Sequence, residues 1–175
     1  MQTLFTSDLH LGHKNITKYR KLATSMDDHD EKLFTMLESF NKRTNLIVLG
    51  DFLFDGPNYE QYLKRLSSLP YKIKLVLGNH DSTKIYEDTP NNIEIQLPLF
   101  TYKNMWVSHC PIHPQEMRNR IGNIHGHLHG NIVDTRDWVY KQNEFYTPKY
   151  FNVNLDNNSF KPVPLDTILS YFEGK

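Results

Sequence analysis

Asp, His and Asn side chains recur in five short clusters along the 175-residue chain. Asp8-Leu9-His10 is the first. In an extended stretch, residues two apart project to the same side, so Asp8 and His10 could hold one metal ion together. Gly50-Asp51 is the second; a carboxylate has two oxygens and can bridge two cations. The third is Gly78-Asn79-His80-Asp81. Its glycine permits a bend close to a site, and the Asn79 amide oxygen is a neutral hard ligand. His80 can hand over a proton near neutral pH, with Asp81 placed to orient its imidazole. In Ser108-His109-Cys110, His109 follows an apolar run and suits either a ligand or a core position, while strand alternation would turn Cys110 away from it. The fifth, His125-Gly126-His127-Leu128-His129-Gly130, sets three His at alternate positions among glycines. Taken singly, the first, second and fourth clusters read readily as a turn or a core position and the third as a polar turn, whereas the fifth is hard to explain as structure alone. Jointly they supply the candidate ligands Asp8, His10, Asp51, Asn79, His109, His127 and His129. All are oxygen or imidazole nitrogen donors, a mix suited to manganese, iron, zinc or nickel.

The clusters sit at the ends of apolar runs. Residues 3–6, 46–49, 73–77, 105–107 and 121–124 read as strands, each ending at one cluster. Residues 30–43 read as a helix through Leu33, Phe34, Leu37 and Phe40, and residues 58–68 through Tyr59, Tyr62, Leu63 and Leu66. This early alternation predicts a parallel sheet component. The second half is richer in β-like runs, at 93–97, 105–107, 138–140 and 150–155, with a closing helix over 165–172. Two stacked sheets flanked by helices account for both halves. In such folds ligands gather beyond the carboxyl ends of the strands.

Bulk properties narrow the classes. A chain of this length reads as one domain, 1–175, with a sizeable core. Hydrophobic content of 38% with 13% aromatic excludes a disordered chain. Twenty basic residues balance twenty acidic ones, without the basic excess of a general nucleic-acid binder. The single cysteine, Cys110, excludes an internal disulfide framework and fits a reducing compartment. The first residues lack a charged leader with a long apolar run, which predicts a cytoplasmic protein without a membrane partner.

The ordered set of clusters closely resembles the pattern of the calcineurin-like metallophosphoesterases: D-x-H, G-D, G-N-H-[DE], H and G-H-x-H. It stands complete here, from Asp8 to His129. The resemblance implies an α/β fold in four layers, α/β/β/α, with two central mixed sheets flanked by helices. It implies one metal on Asp8, His10, Asp51 and His129, and another on Asp51, Asn79, His109 and His127, with Asp51 bridging. His80 would be a general acid that binds no metal, with Asp81 behind it. Two ions, manganese foremost, would lower the pKa of a bridging water for in-line attack on phosphorus.

Around this core the expectations are looser. The run through Gly12-His13-Lys14-Asn15 resembles a compact bacterial and phage branch, and it offers His13 and Asn15 to the substrate or to a loop-to-helix cap. His125 could orient neighbouring ligands. Arg118 and Arg120 could meet an anionic substrate or form a solvated face. Residues 136–150 mix aromatic and basic side chains, which suits either base stacking or a hairpin packed on the sheet. With little room for a capping domain, the site should be open to a phosphodiester or phosphomonoester of a nucleotide-like small molecule. A nuclease acting on nucleic-acid ends is the enzymatic alternative, disfavoured by the neutral charge. A non-catalytic scaffold of the same fold is the other, and the presence of His80 argues against it.

Overall fold

The computed structural model describes residues 1–134 and 149–174. Four strands form the parallel part of a first sheet: β1 (Gln2–Thr6), β2 (Thr44–Leu49), β3 (Lys72–Val76) and β4 (Ile93–Ile95). A two-residue strand near the carboxyl end, β9 (Val163–Pro164), joins antiparallel to β1, giving the order β4-β3-β2-β1-β9. The helices α1 (Met26–Glu38) and α2 (Tyr59–Ser67) are the crossovers between β1, β2 and β3. The residues of β2 show why such a strand has no polar face. Leu46 and Val48 enter a core with Leu33, Phe34, Leu37, Leu63 and Leu66 of the two helices. Ile47 and Leu49 point the other way, into a second core.

That second core lies between the sheets. Phe5, Ile47, Leu49 and Val76 of the first sheet share it with Met105, Val107 and Ile124 of the second. The second sheet orders as β5-β6-β7-β8: β5 (Leu99–Tyr102), β6 (Met105–Ser108), β7 (Asn123–His125) and β8 (Tyr150–Asn152). Its β5–β6 pair is antiparallel and the others parallel, so both sheets are mixed. Helix α4 (Leu165–Glu173) brings Ile168 and Phe172 into the same core. The outer face of the second sheet meets the chain after β6. There the Ile112 amide donates to Asn123, the Tyr150 hydroxyl donates to the Ile112 carbonyl, and the Arg120 guanidinium lies over the Trp106 ring. The architecture is thus two mixed sheets flanked by helices, as expected.

Several boundaries differ from the periodicity. Helix α1 starts four residues before the expected 30, because the Ser25 hydroxyl accepts from the Asp28 amide and caps the first turn, with Asp27 and Asp28 at the positive end of the helix dipole. Ser25→Ala is expected to destabilise by about 1 kcal/mol, a Tm loss of roughly 2–4 °C, measurable by calorimetry. Strand β5 was not expected. It pairs with β6 across a two-residue turn at Lys103 and Asn104, whose φ values of 48° and 64° match a type I′ hairpin; neither residue is the glycine that usually signals it. The four-residue helix α3 (Ile85–Asp88) and strand β9 are too short for a periodic signal. The run expected over 150–155 is a strand only to Asn152; the Asn154 side chain then accepts from the Asp156 amide and starts a 3-10 turn, Leu155–Asn157. The expected strand over 138–140 and the aromatic and basic run before Lys149 lie outside the described residues. Among the described residues, no helix is long and apolar enough to cross a membrane.

Candidate metal centre

Every cluster follows the carboxyl end of a strand: Asp8 after β1, Asp51 after β2, Asn79 after β3, His109 after β6 and His127 after β7. The two sheets present these ends to one another, and hydrogen bonds stitch them together. The His127 amide donates to Asp8 Oδ2 (3.0 Å), and His109 Nδ1 donates to the Leu49 carbonyl (2.7 Å). Glycines permit the close approach. A Cβ at Gly78 would strike Asp51 Oδ1, one at Gly50 the His109 ring, and one at Gly126 Ser7 and Asp8.

Asp8, His10, Asp51, His127 and His129 all have positive φ, between 49° and 68°. The left-handed region is costly for residues with a Cβ but least so for Asp, Asn and His. Such conformations persist only where the surroundings hold them, and they cluster at functional sites. This corrects the reading of Asp8-Leu9-His10 as extended backbone. The two side chains converge because residues 8 and 10 are both kinked, not because the strand alternates.

Two candidate ligand sets result. In the first, His10 Nε2 lies 4.0 Å from Asp8 Oδ1 and 3.9 Å from Asp51 Oδ2, and His129 Nε2 lies 3.9 Å from Asp8 Oδ1. In the second, His109 Nε2 lies 3.5 Å from Asp51 Oδ1, 3.0 Å from Asn79 Oδ1 and 3.2 Å from His127 Nδ1. Asp51 therefore turns one oxygen to each set. Bonds of about 2.0–2.2 Å to nitrogen and oxygen put ligand atoms up to roughly 4 Å apart on one ion, so both sets are of metal size. Buried Asp8 Oδ1 and both ring nitrogens of His10 have no hydrogen-bond partner, which inside a protein calls for a compensating group. The His109 tautomer agrees. The Leu49 carbonyl can only accept, so in the neutral ring the proton is on Nδ1. The Nε2 lone pair then faces the oxygens of Asp51 and Asn79, and a cation resolves three acceptors converging. Burial first, then Arg20 and neighbouring histidines, push His10 down to about 2, so its ring stays neutral as a ligand must be.

Cys110 is better placed than alternation suggested, with Sγ within 4.8 Å of ligand nitrogens of His109 and His127. The residue is exposed, but partial desolvation of its sulfur and then the nearby Asp51 and Asp8 push its thiol upward, which disfavours the thiolate that a ligand would need.

Asp81 does something other than orient His80. One of its oxygens accepts from the amides of Phe52 (2.6 Å) and Leu53 (3.0 Å), and the other from Gly78 (2.7 Å). It clamps the loops of the second and third clusters to one another. The His80 amide donates to Asp51 Oδ1 (2.9 Å), while its ring is exposed and stacked on Phe54 at 5.4 Å. That ring looks onto a cavity of about 580 Å³ beside the first ligand set, whose walls include His10, His13, Tyr19, Phe54 and His129.

The peripheral candidates divide. His13 lines the cavity, its ring 4.6 Å from Phe54, and burial holds its pKa below the usual value. Asn15 does not line it; Asn15 stands exposed before a 3-10 turn, Ile16–Lys18, which it does not cap through its side chain. His125 is buried and donates to the Gly126 carbonyl. Arg118 pairs with Glu116, and Arg120 bonds Asn104 and covers Trp106, so neither reaches the cavity. Sequence reasoning passed over Tyr19, Arg20, Phe54 and Asp156, which also line the cavity. No local pattern flags them, since Arg20 and Asp156 are 136 residues apart.

A model of the calcineurin-like phosphoesterase family matches residues 1–170, and the chain belongs to that family. It is thus a metal-dependent phosphoesterase by class. The Gene 66 protein of Mycobacterium phage L5 is 28% identical over 166 residues, covering 77% of this chain and 80% of its own. An uncharacterized protein of Methanocaldococcus jannaschii is 29% identical over 171 residues, with 95% and 89% covered. Among solved structures, a protein of unknown function from Aquifex aeolicus superposes with a TM-score of 0.70 at 23% identity, covering 97% of this chain and 98% of its own. The nuclease MPE of Pseudomonas putida does so with a TM-score of 0.50 at 20% identity, covering 73% and 61%. At these identities the two structures support the fold alone.

Proposed function

We propose that this chain hydrolyses a phosphodiester or phosphomonoester of a nucleotide-like small molecule at a dinuclear centre. Asp8, His10, Asp51 and His129 would hold one ion, and Asp51, Asn79, His109 and His127 the other, manganese being first choice. The observation that most supports this is the division of the Asp51 oxygens between two groups of donors, beside which Asp8 Oδ1 and both His10 ring nitrogens lie buried without a hydrogen-bond partner. When bound, the ions supply charge that acidifies a shared water and offsets charge building on phosphate oxygens. His80 binds neither ion. Its exposed ring, held against Phe54, gives a proton to the leaving oxygen. Tyr19, Phe54 and Ile16 offer flat and apolar wall to the organic part of the substrate.

Chelated protein should be inactive on bis-p-nitrophenyl phosphate and recover with manganese. Failure with manganese, nickel, iron and zinc alike would overturn the reading. A panel of 2′,3′-cyclic, 3′,5′-cyclic and linear nucleotides then ranks substrates. One observation favours nucleic-acid ends instead. Tyr19 is 77% exposed at the cavity rim, and Lys14, Lys18 and Lys21 are exposed on the same segment, the pairing of stacking ring and cations that single strands use. Shortening of an end-labelled oligonucleotide, weakening steeply with salt, would select that reading; its absence beside turnover of mononucleotides would discard it.

A further inference from the structure

Arg20 lines the cavity, yet it is 3% exposed and its guanidinium is fully committed. Nε donates to Asp156 Oδ1 (2.8 Å) and Nη2 to Asp156 Oδ2 (3.1 Å), a bidentate pair. Nη2 also donates to the Asp8 carbonyl, and Nη1 to the Leu9 carbonyl (3.1 Å). Asp156 Oδ2 in turn accepts from His129 Nδ1 (2.8 Å), leaving Nε2 of that ring to face Asp8. Behind Arg20, Nη1 lies 3.2 Å from His29 Nε2. A guanidinium can only donate, so His29 accepts there and donates from Nδ1 to Asp30 Oδ1 (2.7 Å). Asp30 Oδ2 accepts from the Gly12 amide and the Tyr62 hydroxyl, both at 2.8 Å. One chain of bonds thus runs from α2 through α1 and the first cluster to the fifth.

We propose that Arg20 and Asp156 are positioning residues that set the affinity of the first metal set, and that Arg20 does not bind substrate. Arg20 and Asp30 hold both flanks of the kinked 8–12 backbone, at the carbonyls of Asp8 and Leu9 and the amide of Gly12. Asp156 fixes the tautomer and tilt of His129. That ring needs a fixed partner, because its side chain is 45% exposed whereas those of Asp8, His10 and Asp51 are 0%, 7% and 2% exposed. The Arg20–Asp156 pair touches the second set through no hydrogen bond or ion pair among the described residues.

The inference rests on the dinuclear reading, and manganese titration followed by calorimetry and electron paramagnetic resonance separates the two. Wild-type protein that binds no manganese would defeat the dinuclear reading itself. If wild type binds two ions, Asp156→Asn is expected to weaken one class of site by about 10–100-fold, the range for such partners of ligands. The other class should not move, whatever the metal-free protein loses in Tm with the partner of the buried Arg20, and Asp156→Glu should restore part of the loss. Two sites of wild-type affinity in Asp156→Asn would overturn the proposal. Equal weakening of both sites with a lowered metal-free Tm would overturn it too, since that is the signature of general destabilisation. Arg20→Lys keeps the charge but not the fork, and should weaken the same class of site. Should that variant fail to fold, Asp156→Asn decides alone, because its carboxylate is partly exposed.

Discussion

His80→Ala is expected to retain both metal ions and to lose about 10²–10⁴-fold in turnover, the usual contribution of a general acid. The expectation follows from where the two ends of His80 lie. Its backbone amide bonds the Asp51 carboxylate proposed as the bridge, and alanine keeps that bond. Its ring is exposed at the cavity, stacked on Phe54 and with its edge to His10, so its loss leaves no buried group without a partner. The deficit should depend on the substrate. A p-nitrophenolate leaves readily without a proton, whereas a sugar hydroxyl does not, so the variant should be far more impaired on nucleotides than on nitrophenyl esters. Metal analysis by mass spectrometry, paired with kcat on both substrates, checks this. Loss of both ions, or equal impairment on both leaving groups, would remove His80 from the acid role.

Asp51→Asn should be more damaging still. The amide keeps the size of the side chain but offers one acceptor oxygen, so it cannot serve His10 on one side and His109 on the other as Asp51 Oδ2 and Oδ1 do. Binding should fall from two manganese ions to one or none. Several kcal/mol of transition-state stabilisation by the pair would go with it, about three decades of rate or more. Stability should respond in the opposite sense. Without metal, the Asp51 and Asp8 side chains are about 1% and 0% exposed with ligand atoms within 4.8 Å of one another, a crowding of acidic groups away from water that a cation would relieve. The metal-free variant is therefore expected to be at least as stable as metal-free wild type, while the rise in Tm on adding manganese is lost. Thermal scans with and without manganese test this. A variant that still gains wild-type stabilisation from the metal would show that Asp51 is not the bridge.

The amino-acid pattern alone made much of this legible. Strands β1, β2, β3 and β6 were read within two residues because their apolar runs are continuous and end abruptly at polar clusters. A parallel strand buried on both faces leaves that mark. The second helix was read within a residue, since its aromatic and leucine stripe repeats at helical spacing. The cluster residues were legible because coordination restricts residue type and the sharp bends restrict the neighbours to glycine.

What stayed hidden depends on partners distant in sequence. The role of Asp81 is one case. Next to His80 in the chain, it reads as that residue's orienter, but a carboxylate is claimed by whatever amides the fold brings near, and β2 delivers those of Phe52 and Leu53. Arg118 and Arg120 lie between two clusters, yet they leave the site because the loop after β6 crosses the outer face of its sheet, where Trp106 covers one and Glu116 pairs the other. Strand β9 is two residues long and exists only because β1 offers it an edge.

The sequence by itself determined the donor types, their order and hence the chemistry open to them, because ligand identity is a property of single residues. Only the tertiary structure decided how closely the candidate donors approach, toward which of them each Asp51 oxygen turns, and that Arg20 and Asp156 stand behind the first set. Those are distances between elements, and they are set by how two sheets and their helices pack rather than by any residue's neighbours along the chain.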